Sequence, residues 1–292
     1  MHARALTPFT ARDGENLAFY SWQPEHSVDQ TDRPGGKARA VVLIVHGLGE
    51  HAGRYDHVAS TLCDWGFVVH AYDQRGHGES DGLPGVLPSN TALLDDLAEV
   101  VDDMRRQYPQ LPFILLGHSL GGLVVSRFVS LRIRPVDGLV LSSPALDAGL
   151  SWFQKLLINV LPRVAPNLCV ANGLDANYLS RDPQVVKAYL ADRRVHNNIS
   201  TRLARFIGTA GPATVAAAKQ WRTPTLLMYA GSDKLVSPQG SRRFAKRAAE
   251  AKAVKPGTVN AKCFDGYYHE LFNEPDNALV FELLKSWLDA RF

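Results

Sequence analysis

Cysteine is scarce. Cys63, Cys169 and Cys263 are odd in number and far apart, so they offer neither a disulfide framework nor a metal-ligand spacing, and a reducing compartment is expected. No uninterrupted apolar run is long enough to span a bilayer, and the first ten residues lack the apolar stretch of a secretory signal. The expected location is therefore cytoplasmic, with peripheral contact at a membrane as the only variation. A dense Lys/Arg block is missing too, and a net charge of +3 is too small for a dedicated nucleic-acid surface. The cluster Arg242, Arg243, Lys246 and Arg247 reads as a solvated helix face. Internal repeats and low-complexity tracts are absent. What remains is a chain of 292 residues, 46% hydrophobic and 21% charged, enough for one large α/β domain with an insertion.

The apolar pattern alternates between short runs and helical periods. Leu17 to Trp22 reads as an edge strand after the Asp13-Gly14 turn, and residues 24 to 38 read as loop. Ala40 to Val45 is a uniformly aliphatic strand of the kind buried on both faces of a parallel sheet, and Phe67 to Tyr72 is the next strand. Between them lies a helix with Tyr55, Val58, Ala59, Leu62 and Trp65 on one face, stopped by Gly66. Ser89 or Asn90 can cap a long helix with an inner face of Leu93, Leu97, Val100, Val101, Met104 and Tyr108 and four aspartates turned outward. After a strand at Leu139 to Ser142 the rhythm breaks, then resumes with Thr225 to Tyr229, a helix from Gln239 to Ala249, a strand near Ala261 to Phe264 and a last helix around Ala278 to Leu288. This predicts an α/β core at 1–146 and 221–292, mostly parallel, with helices on both faces. Residues 147–220 form a helical cap, without a convincing strand, inserted after the sixth strand.

The chemistry centres on Phe-Ile-Leu-Leu-Gly-His-Ser-Leu-Gly-Gly, residues 113 to 122. Gly117, Ser119 and Gly121 match the G-x-S-x-G turn that projects a serine above a strand-to-helix junction. A serine hydroxyl needs a base, and the base needs a carboxylate to fix its tautomer. In this arrangement the acid and then the histidine follow the serine in the chain. Of ten histidines only His196 and His269 follow Ser119 at a distance. His269, just after the last strand, is the expected base, while His196 falls in the insertion. Asp233, leaving the strand Thr225 to Tyr229, is the expected acid, ahead of Asp147 and Asp265. Oxyanion donors are expected from the backbone N–H groups of Leu120 and Leu48, each contributing on the order of 3 kcal/mol to barrier lowering. His46 and His118 lie near this site and are read as structural. Neither metal nor organic cofactor is called for.

Six stretches carry a family resemblance: HGLGEHAGRY at 46–55, DQRGHGES at 73–80, GHSLGG at 117–122, SRDP at 180–183, SDKLV at 232–236 and YHELFNE at 268–274. Together they resemble the monoacylglycerol lipase and lysophospholipase group of α/β-hydrolases over nearly the whole chain. The resemblance implies a triad of Ser119, Asp233 and His269, a cap that receives an acyl chain, and Glu50 and Arg54 as residues holding a polar head group. It also shows a departure: Phe272 stands where the mammalian enzyme has a histidine that helps hold glycerol. Independently, residues Leu150 to Leu161 form a helix with only a narrow polar stripe, ended by Pro162. Such a helix packs on the sheet domain, lines an acyl chain's path or touches a membrane surface. The expected activity is hydrolysis of acyl esters of monoacylglycerol or lysophospholipid type. A short-chain carboxylesterase or a serine aminopeptidase of the same fold is the alternative enzyme, and a non-catalytic lipid-binding module the alternative of another class.

Overall fold

Three strands, β3 (Val41–Val45), β4 (Val68–Tyr72) and β5 (Phe113–His118), are buried along their entire length. Aliphatic side chains pointing both ways from a strand can be buried only if helices cover both faces of the sheet. The computed structural model, which describes residues 4–23, 38–149 and 160–292, has that arrangement. Its main sheet runs β1-β2-β4-β3-β5-β6-β9-β10. The other members are β1 (Arg4–Thr10), β2 (Asn16–Trp22), β6 (Gly138–Ser142), β9 (Thr225–Ala230) and β10 (Val259–Phe264). The six strands from β4 to β10 are parallel, and the β1–β2 hairpin joins β4 antiparallel.

One core layer packs α2 (Ala92–Gln107), α3 (Ser119–Ser130) and α6 (Pro238–Glu250) against one face of this sheet. The other packs α1 (Asp56–Asp64) and α7 (Ala278–Asp289) against the opposite face. After β6 the chain leaves this core and makes a two-stranded ribbon of β7 (Cys169–Ala171) and β8 (Asn198–Ser200), with α4 (Pro183–Ala191) between them. It returns through α5 (Thr201–Ala217), which packs on α3 and α6.

Several expectations need correction. Leu17 to Trp22 is not the edge strand, because β1 pairs outside it. Pro8, which cannot donate to a ladder, is tolerated there because β1 has a neighbour on one side only. The segment 147–220 does contain strands, β7 and β8, each three residues long and so too short to show alternation. Of the four aspartates on α2, Asp96 is buried and clasped by Arg75 through Nε at 2.8 Å and Nη2 at 2.7 Å. The cap of α2 is Thr91, whose hydroxyl donates to Asp95 at 2.7 Å; Ser89 stands two positions further out, accepting from the Thr91 N–H. The apolar stretch expected at Leu150 to Leu161 lies outside the described residues up to 159, as does the loop at 24–37. Helical structure at 160–164 runs past Pro162, with the Ala165 N–H closing on Leu161 O at 2.8 Å. A proline removes only its own donor, so the turn survives it and stops before Pro166.

Candidate active site

Ser119 sits at the junction of β5 and α3 with φ of 52°, a left-handed conformation that non-glycine residues seldom adopt and that costs about 1–3 kcal/mol. The strain is held by close backbone passage. A Cβ at Gly121 would stand 2.0 Å from Val45 O, and one at Gly117 would stand 2.6 Å from Gly121 O. Only glycines let β3, β5 and α3 approach so closely. The turn leaves Ser119 half-buried at the head of α3, with the positive end of the helix dipole beneath it.

His269 follows β10, and its Nδ1 is 2.7 Å from Asp233 Oδ2. The other Asp233 oxygen accepts from the N–H groups of Leu235 and Val236, both at 2.9 Å, so the carboxylate cannot rotate away. Burial alone would push the imidazolium down. The Asp233 carboxylate and its hydrogen bond, with Glu270 and Glu50 further off, outweigh that and hold His269 above the ordinary histidine value of 6.5. Asp233 in turn is raised by burial but lowered more by the His269 charge and its hydrogen bonds, ending below the usual carboxylate value. Asp147 is engaged elsewhere, with Arg243 at 2.6 Å.

Ser119 and His269 open on one cavity of about 440 Å³, together with Gly47, Leu48, Glu50, His118 and Glu270 from the core and Asn172 to Asn197 positions from the insertion. His118 is pushed down to about 4, chiefly by burial and then by the charge of His269, whose ring centroid lies 4.7 Å away. It is therefore neutral near pH 7, an apolar-sided wall for the base. His46 is buried too, and its Nε2 accepts from the Gln74 N–H at 2.9 Å. Asp73, just beyond β4, is fully buried and accepts from Tyr20 Oη, Ala52 N and Glu79 N at 2.7–2.8 Å, so it ties loops together and does not reach the cavity.

The head-group candidates Glu50 and Arg54 are differently placed. Glu50 lines the cavity; its Oε1 accepts from the Gly47 N–H at 2.6 Å and Tyr55 Oη at 2.8 Å. Burial raises Glu50, but Arg54, followed by nearby histidines, brings it down to about 2. Arg54 is not among the lining residues. Its guanidinium contacts Glu50 Oε2 at 2.6 Å and grips Glu270 at 2.6 and 2.8 Å. Glu270 was missed in the sequence, although it adjoins His269. Phe272 packs against Phe281 inside the core, ring centroids 5.3 Å apart, and does not face the cavity.

The insertion closes over this floor at two points. The Nε2 of His51 meets Asp192 Oδ2 at 2.9 Å, and the His196 N–H donates to Gly49 O at 3.0 Å. Gly49 has φ of 74°, and a Cβ there would lie 2.2 Å from His196 O. Further contacts run from the base loop: the N–H of Glu270 donates to Leu179 O at 2.8 Å.

Comparison with known proteins places these features in context. Residues 36–276 match the family model described as serine aminopeptidase, S33. A monoacylglycerol lipase of Mycolicibacterium smegmatis is 35% identical over 98% of this chain and 97% of its own length. The human monoglyceride lipase is 30% identical over 96% of this chain and 88% of its own. The crystal structure of the Paleococcus ferrophilus monoacylglycerol lipase superposes with a TM-score of 0.78 at 34% identity, covering 88% of this chain and 96% of that one.

Proposed function

The chain belongs to the serine aminopeptidase S33 family of α/β-hydrolases, and we propose that it is a carboxylic ester hydrolase cleaving monoacylglycerols through Ser119, His269 and Asp233. The observation that carries this reading is the 2.7 Å contact between His269 and Asp233, with His269 and the strained Ser119 opening on the same cavity. Ser119 attacks the ester carbonyl while His269 takes its proton, and the proton then passes to the leaving alcohol. Asp233 holds the imidazole in its tautomer and steadies the imidazolium. The oxyanion is met by the backbone N–H groups of Leu120 and Leu48. Water repeats the sequence on the acyl-enzyme and releases the fatty acid.

The head group is argued from charge. Glu50, Asp175, Asp192 and Glu270 line the cavity, and no lysine or arginine among the described residues does. A lysophospholipid would bring its phosphate against carboxylates, whereas the hydroxyls of a glycerol ester can donate to them. Monoacylglycerol is favoured over lysophospholipid on this ground. Residues 147–220 act as a cap over the strand ends, and the exposed Val164, Leu168, Val170 and Leu190 suit transient contact with a lipid surface.

A substrate panel tests the reading. Monoacylglycerol is expected to exceed lysophosphatidylglycerol, whose phosphate has no compensating cation, at least tenfold in kcat/KM, with activity and fluorophosphonate labelling both lost in Ser119→Ala. An unlabelled wild type would favour a lipid-binding module. Preference for an aminoacyl nitroanilide would favour the aminopeptidase, whose ammonium substrate the same carboxylates suit.

A further inference from the structure

Arg54 stands where three parts of the molecule meet. On one side is the loop after β3, whose Gly47 N–H is held by Glu50 at 2.6 Å, one residue before the oxyanion donor Leu48. On another is the loop carrying His269, whose next residue, Glu270, is gripped by both terminal nitrogens of Arg54. On the third is α4, whose Tyr189 ring lies 4.8 Å from the guanidinium carbon. Three of the five N–H donors are spent on two carboxylates. The side chain is 12% exposed and lies behind the cavity wall.

We propose that Arg54 is a positioning residue that locks the oxyanion loop to the base loop, so that Leu48 N–H and the His269 imidazole keep a fixed spacing about Ser119. The inference rests on the ester-hydrolase reading above and departs from the head-group role that resemblance implies for this position. Its physical basis is the shape of the cation. A planar fork can hold Glu270 through two parallel bonds while one of its nitrogens reaches Glu50; a lysine ammonium is a single point on a flexible stem and cannot do both. Loosening either loop by about 1 Å is enough to lose roughly 10²-fold in rate.

The link to His269 is electrical as well. Glu270 and Glu50 both raise the imidazolium, and Arg54 offsets the two carboxylates. Conservative and non-conservative variants therefore differ in a way that simple destabilisation would not reproduce.

The test uses the full chain and p-nitrophenyl butyrate, which has no glycerol head, beside a monoacylglycerol. Arg54→Lys is expected to lower kcat at least tenfold on both esters with KM within about twofold. Ser119 should still label, and the acid limb of the pH profile should stay in place. Arg54→Met should move that limb upward, because both carboxylates then act on His269 uncompensated. If Arg54 works through Glu50, the kcat losses of Arg54→Lys and Glu50→Gln will be markedly non-additive. Wild-type kcat in Arg54→Lys overturns the proposal, as does strict additivity. A KM rise confined to the monoacylglycerol also overturns it and returns Arg54 to head-group binding. Should Arg54→Met fail to fold, the lysine variant and the cycle still decide. A wild type inert towards every ester would instead sink the ester-hydrolase reading.

Discussion

His269 and Asp233 form a pair whose value lies in what each does to the other's proton. With the imidazolium held above 6.5 by the neighbouring carboxylates, the neutral base that the proposed mechanism requires is lost as pH falls through that raised value. The acid limb of kcat/KM should accordingly lie above pH 6.5. In Asp233→Asn the largest supporting charge is gone while burial remains, so the limb should shift to lower pH and kcat should fall by roughly 10³–10⁴-fold. A pH–rate profile of both proteins on a soluble ester measures each effect. The meeting of His269 with Asp233 and the sharp turn at Ser119 could be anticipated from chain order and from their places after strands. The Arg54–Glu50–Glu270 cluster was not, because nothing in the spacing of Glu50 and Glu270, 220 residues apart, reveals that one guanidinium holds both.

Among the elements, the contact of β3 with the head of α3 is the least forgiving. A methyl at residue 121 would be driven into the carbonyl oxygens of Val45 and His46, at 2.0 and 2.4 Å, and backbone cannot step aside as a side chain can. Gly121→Ala should destabilise the protein by about 3 kcal/mol or more and erase activity with it, as measured by urea denaturation alongside turnover. The five inner parallel strands could be read from short, mostly apolar runs, since burial on both faces leaves room for a polar side chain only where it finds a partner, as His70 does with Ser21 and Tyr108. Elements whose stability comes from elsewhere were harder to read. Pro8 disguised β1, and β7 and β8 are too brief to show a period. Asp96 looked solvent-facing until Arg75, 21 residues earlier in the chain, was seen to enclose it.

At the scale of the whole molecule, the exposed apolar side chains of the described residues are concentrated in the insertion. Val160, Val164, Leu168, Val170, Leu174, Tyr178 and Leu190 all belong to the insertion, and among the described residues only Leu6, Leu83, Leu131 and Leu279 are large, apolar and exposed elsewhere. No helix of the described residues is long and apolar enough to cross a membrane. The lipid contact proposed above for the insertion is tested by charging it. Val164→Glu combined with Leu168→Glu should weaken sedimentation with phosphatidylcholine vesicles several-fold. Hydrolysis of p-nitrophenyl butyrate should be unchanged.

The seat of the insertion at Gly49 also bears on how this enzyme could be re-engineered. A left-handed glycine pressed against a carbonyl oxygen leaves no tolerated alternative at that spot, so saturation libraries there would return mostly dead clones. Leu174 and Leu190, which line the cavity and are open to solvent, carry no such constraint. Breeding for longer or bulkier acyl groups should begin with them.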